Sequence, residues 1–204
     1  MDYFNKAANK VKTDKPGYTY KARTIIDEKK VSSPNKAIDT IAPPILNMVK
    51  GIWANWSDEV IVAKGADHKA FPVSGQSWAS RLDPSWVKSA ACTDKGSVYE
   101  IKIVLKDERV SELPANQTAT RHGQVIRAFA KDEVAGAAER VGVQVLQFDA
   151  LYSGSYVQCT IDKATGSMKS ATYCVDMMAD MTARVLVTIS ATIPVVQEDV
   201  YIIN

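Results

Sequence analysis

From residue 34 to residue 56, apolar side chains recur at helical spacing around most of a helix circumference, and no other stretch restricts the fold as strongly. Ile38, Ile41, Ile45, Met48, Ile52 and Trp56 follow at intervals of three and four, and Leu46, Val49 and Trp53 widen the stripe. Ser33 is placed to cap the helix, and Pro34 suits its first turn, where a missing N–H is not needed. Pro43 and Pro44 predict a kink after the second turn. Helical throughout, the segment spans roughly 35 Å. A helix apolar on most sides has to be enclosed rather than laid on a surface. Its uncharged run, 40–49, is far short of the ~20 residues a bilayer crossing needs, so the expected enclosure is the rest of the chain and not a membrane.

Most of the remaining sequence is patterned for strands. Tyr99, Ile101, Ile103 and Leu105 alternate with Glu100, Lys102 and Val104 after a Thr93-Asp94-Lys95-Gly96 turn. Segments 141–152 and 155–162 flank Ser153-Gly154, and 168–175 follows the turn Lys163-Ala164-Thr165-Gly166. Ala183, Val185, Val187, Ile189, Ala191 and Ile193 occupy every second position. That alternation predicts one strand over 182–192, roughly 36 Å long. Segment 195–203 closes the chain, and further strands are expected at 18–26, 59–64 and 124–130. Short helices are expected at 2–11, at 84–89 behind Asp83, and at 133–140 behind Asp132. Short turns between successive strands give antiparallel pairing. Helix and strand match in reach, so the expected fold is α+β: a long curled antiparallel sheet wrapped around one long hydrophobic helix. Residues 1–33 then form a basic N-terminal arm with a short helix and the first strand, and 34–204 a single domain.

Charge and motif content narrow the chemistry. With 46% hydrophobic and 24% charged residues the chain has enough apolar material to fold. The net charge of +2 is uneven: 1–36 hold nine Lys/Arg against four Asp/Glu, and 141–204 hold three against six. The basic end reads as a solubilising arm, because no Lys/Arg cluster is interleaved with aromatics as a nucleic-acid partner would need. Cys92, Cys159 and Cys174 read as small buried hydrophobes. The 163–166 hairpin sets Cys159 opposite residue 170 or 171 and Cys174 opposite 155 or 156, too far apart for a disulfide. His68 reads as a solvated loop residue and His122 as the entry to a strand, and neither has metal-ligand spacing. Asp107-Glu108 and Asp132-Glu133 read as a turn or helix start, since adjacent carboxylates do not converge on one reacting atom. No P-loop, dinucleotide fingerprint, calcium loop or nucleophile elbow occurs, so no catalytic residue, metal or cofactor is expected.

Four segments carry a resemblance: Phe71-Pro72-Val73-Ser74-Gly75-Gln76-Ser77-Trp78, Leu82-Asp83-Pro84-Ser85-Trp86-Val87, Gly96-Ser97-Val98-Tyr99-Glu100-Ile101, and the hairpin 157–173 with Asp162-Lys163-Ala164-Thr165-Gly166. They resemble a largely uncharacterised set of secreted and lipoprotein-type domains of Gram-positive bacteria, over about residues 35–204. The expected layout is similar to tubular lipid-binding (TULIP-like) domains. The resemblance implies a non-enzymatic binder of lipids or other apolar small molecules, secreted or at the cell envelope. Met1-Asp2-Tyr3-Phe4 runs into a Lys/Asn-rich stretch, which does not read as a signal segment. The candidate groove lies between helix and sheet, lined by Ile41, Ile45, Met48, Val49, Ile52 and Trp53 with Met177 and Met181 from the methionine cluster. The alternative is a structural or protein-interaction domain with a filled core and an open sheet edge.

Overall fold

The computed structural model describes residues 1–34, 59–140, 142–184 and 187–204. The expected helix therefore lies outside the described residues from its second position onward, and with it Ile41, Ile45, Met48, Val49, Ile52 and Trp53. The chain runs α1 (Asp2–Asp14), β1 (Tyr18–Ile26), β2 (Val60–Val62), β3 (Val87–Asp94), β4 (Val98–Leu105), β5 (Glu108–Val110), α2 (Lys131–Glu139), β6 (Gln144–Tyr152), β7 (Tyr156–Asp162), β8 (Met168–Arg184) and β9 (Thr188–Ile203).

The expected curled sheet around a long helix is corrected by this arrangement. Among the described residues nine strands form one antiparallel sheet, open and not curled; seven follow the order β2-β1-β9-β8-β7-β4-β3, and β6 pairs with β8 and with β5 off that path. Among the described residues β2 and β3, the ends of that order, do not pair with each other, so no described pairing closes the sheet into a tube. Among the described residues the helices are short, and the class is mostly β. β8 organises the sheet. One of its edges pairs with β9 from Ser170 to Arg184; the other is shared by β7, up to Cys174, and β6, from Met177 onward.

The expected single strand over 182–192 is two strands. The chain reverses between Arg184 and Thr188, which pair directly, as do Ala183 and Ile189. Directly opposed residues share a face of a sheet. Because the paired numbers here always share parity, Ala183 before the reversal and Ile189, Ala191 and Ile193 after it lie on the same buried face, and the alternation does not reveal the turn. β8 correspondingly extends nine residues past the expected end at 175 and absorbs Met177, Met178 and Met181, which were expected between strands. Segment 124–130 is not a strand, and β3 stands where a helix was expected to continue past Trp86. The Asp83 cap is present: its carboxylate accepts from Ser85 N–H at 2.8 Å.

One face of the sheet carries the core. It is covered by α1, by the loops around Phe71 and Phe129, and by α2, which together bury Phe4, Val11, Leu82, Ile126 and Val134. α1 holds its neighbouring loop through polar groups, so the basic arm is more than a solubilising tail. Asn9 Oδ1 accepts from the N–H groups of Ala79 and Ser80, and Asn5 Oδ1 from that of Leu82. Lys12 is buried and donates to the carbonyls of Lys69, Val73 and Gln76. Cys159 lies opposite Ala171, and Cys174 opposite Tyr156. Both are buried free thiols, whereas Cys92, expected inside, is exposed on the edge strand β3.

Tyr173 sits in the middle of this core, with its ring edge-on to Phe71 and Tyr201 and its hydroxyl without a hydrogen-bond partner among the described residues. A buried, unpaired hydroxyl carries its desolvation cost uncompensated. Tyr173→Phe is therefore expected to stabilise the protein by about 1 kcal/mol, seen as a higher urea midpoint at unchanged slope. A lower midpoint would assign the hydroxyl a partner.

Candidate functional site

The β1–β9 pairing builds a cavity on the core face of the sheet. Tyr18 lies opposite Ile203, Tyr20 opposite Tyr201, and Ala22 opposite Asp199. Direct opposition puts these side chains on the core face, and the Tyr20 and Tyr201 rings stack at 4.8 Å between centroids. Tyr18 packs against His68 at 5.0 Å and leans on Phe71 and Tyr201. The cavity of about 420 Å³ has apolar walls from Tyr18, Tyr20, Tyr201, Val60, Val62 and Pro72. Its polar groups come from Asp199, Arg127, Glu133, Gln117 and Ser74.

The polar groups form an ordered set. The Tyr20 hydroxyl donates to Asp199 Oδ1 at 3.0 Å, and Gln197 Nε2 donates to the same oxygen at 3.2 Å. Burial raises the Asp199 carboxyl above its usual range, against the opposing pull of Gln197, Arg127 and Tyr20. Burial together with the Asp199 charge pushes the Tyr20 hydroxyl up. Burial also works against the Arg127 cation, but its ion pair with Glu133 outweighs that and holds it charged. The cavity therefore presents an aromatic wall, a neutralised Arg–Glu pair and a buried carboxyl that already accepts from Tyr20 and Gln197.

A second buried polar cluster joins β5 to the 111–130 loop. Glu108 accepts from the backbone N–H groups of Arg121 and His122, each at 2.9 Å, and from His122 Nδ1 at 2.7 Å. Burial opposes its charge, but these bonds outweigh it and bring the carboxyl down to about 2. His122 is 1% exposed, stacks on Tyr152 at 4.7 Å, and has no partner for Nε2 among the described residues. His122 is thus a buried clamp and not the strand entry expected. His68, expected in solvent, is buried as well, with both ring nitrogens facing main-chain carbonyls, those of Ala66 and Pro16. Among the described residues no serine or cysteine is hydrogen-bonded to either ring.

Of the site residues expected from sequence, Met177 and Met181 are described. Both are buried on the core face of β8, Met177 between Tyr152 and Val195, Met181 between Phe148 and Ala191. Neither lines the cavity. The cavity residues were missed, although β9 holds a signal. Ile193, Val195, Tyr201 and Ile203 mark the buried phase of the strand, and Gln197 and Asp199 fall in that phase. Polar residues in a buried phase need partners, and partners gather at sites.

Among the described residues no group of three or more His, Cys, Asp or Glu could hold a metal ion. No described helix is long and apolar enough to cross a membrane. Comparison with protein families, curated proteins and solved structures finds no match.

Proposed function

We propose that this chain is a non-enzymatic binding module that holds a small amphipathic ligand in the β1–β9 cavity, outside the cell or at its envelope. The observation that carries the reading is the pairing of buried-phase polar residues, Gln197 and Asp199, with a cavity of about 420 Å³ walled by tyrosines. Ligand cavities combine such apolar walls with a few converging polar groups, at volumes of about 300–1,000 Å³. The ligand has an apolar body to lie on Tyr18, Tyr20 and Tyr201, and one hydroxyl or amide end to meet Asp199. A neutral end suits the site better than an anion, because Arg127 is already paired with Glu133. The extracellular location is supported by the resemblance of 71–78, 82–87, 96–101 and 157–173 to secreted and lipoprotein-type domains.

The test is organic-solvent extraction of the purified protein with mass spectrometry, followed by thermal denaturation with 1-decanol and with decanoate. At a hundredfold excess over Kd, a bound ligand adds about 2.7 kcal/mol, a Tm rise of about 5 °C or more for a chain of this size. 1-Decanol is expected to give the larger rise, and Ala70→Trp, an exposed residue at the cavity wall, to abolish it with the far-UV spectrum unchanged. Nothing extractable and no shift with either probe would overturn the reading. It would favour the second one, a protein-interaction domain, which the filled core around Met177 and Met181 and the open edge of β3 support.

A further inference from the structure

Among the described residues strand β3 ends the sheet, and every residue from Lys88 to Asp94 is exposed. At its turn, Lys95 N–H donates to the Val98 carbonyl at 3.0 Å. Antiparallel ladders alternate, so the main-chain groups of Ser89, Ala91 and Thr93 bond to β4, and those of Ala90, Cys92 and Asp94 point away from the sheet. Natural edges discourage pairing with prolines, charges and bulges. Here the bulge is confined to Val87/Ser89, and the following run Ser89-Ala90-Ala91-Cys92-Thr93 has no charge and no proline.

We propose that two copies of this chain pair through β3, antiparallel about a two-fold axis at Ala91, so that their two sheets become one. In this register the outward groups of Ala90 and Cys92 exchange hydrogen bonds with their counterparts across the axis. Ser89 lies opposite Thr93, small side chain against small, and Lys88, the extra residue of the bulge, comes beside Asp94, cation against anion. The side chains of Lys88 and Asp94 are 60% and 66% exposed, and the contact of Lys88 with Asp107 is a long 3.9 Å. Both hydrogen-bonding contacts of Asp94, to Gly96 N–H and Lys163 Nζ, use Oδ1, so Oδ2 can take a second cation. Sliding the strands by two residues keeps the hydrogen bonds but sets Lys88 opposite Cys92 or Gly96 and loses the charge pair. The two-fold axis makes the contact self-complementary and closed. A contact of one strand edge falls below the about 1,000 Å² of stable interfaces, so the association is weak and concentration-dependent. It does not depend on the β1–β9 cavity.

Sedimentation velocity of the wild-type chain over a micromolar to millimolar range is expected to resolve monomer and dimer. Lys88→Glu sets like charges opposite each other and should weaken the dimer about tenfold, and Lys88→Glu with Asp94→Lys should restore it. In a Cys92→Ser background, Ala91→Cys should form an inter-chain disulfide under mild oxidation, because opposed non-hydrogen-bonded residues lie about 4.5 Å apart between Cα atoms. Thr93→Cys, which meets its own copy about four residues off register, should not cross-link. A chain monomeric at every concentration, or cross-linking at 91 no greater than at 93, would overturn the proposal. So would a monomeric chain whose β3 edge instead takes up an added strand-forming peptide, which would assign the edge to a different partner.

Discussion

Gly123→Ala is expected to cost about 3 kcal/mol or more, the largest effect among the described glycines. A Cβ at residue 123 would lie 1.8 Å from the Gln117 carbonyl oxygen and 2.6 Å from its carbon, with Thr120 Oγ1 at 2.9 Å. Two of these three atoms are backbone, so relief requires the short 3-10 turns Gln117–Ala119 and His122–Gln124 to part. The loop that would move delivers Val125, Ile126, Ala128 and Phe129 to the core and Arg127 to the cavity. Urea denaturation measures the loss, and Gly136→Ala supplies the control. A Cβ there meets nothing within 4 Å, and residue 136 lies inside α2. That change should raise stability by about 0.5–1 kcal/mol, through helix propensity alone. Equal effects at the two positions would refute the close-approach argument.

The second large effect belongs to Glu108, whose carboxyl is held down to about 2 from an ordinary 4.5. Between those two values the unfolded chain binds a proton that the folded chain does not. Stability from this group is therefore complete above about pH 4.5 and is lost as pH falls toward 2. The lowering corresponds to about 3 kcal/mol, little reduced by solvent screening because the side chain is only 12% exposed. Asp199 acts in the opposite sense: its raised carboxyl favours the folded chain at low pH, and that contribution fades as pH rises. Glu108→Gln separates the two. At pH 7 the variant should lose about 3 kcal/mol in chemical denaturation, and the gap from wild type should close steadily between pH 4.5 and pH 2. A gap that stays constant with pH would mean that Glu108 acts through packing and not through its charge.

The chain makes some of its structure plain locally. β1, β4, β6 and β7, the turn before β4, the Asp83 cap and α1 all rest on patterns that neighbouring residues complete among themselves. What was misread required a partner far away in sequence. β3 has small and polar residues with no clean alternation, and it is a strand because β4 offers it an edge. His122 reads as a polar loop residue until Glu108, fourteen positions earlier, comes into view. The cavity depends on Tyr20 meeting Tyr201, which no spacing in the chain announces. Only the buried-phase Gln197 and Asp199 hinted at it.

The sequence alone determined that the sheet is antiparallel and which side of most strands faces inward, because a period of two is a property of the strand itself; the class it suggested, α+β, is mostly β in the structure. Only the tertiary structure decided which strands lie side by side, where β8 turns back into β9, and that the sheet stays open. Pairing is chosen by contacts between distant residues. The reversal at Arg184 and Thr188 preserves the inward phase, so one long strand and a hairpin of two present the same alternation until their hydrogen bonds are seen.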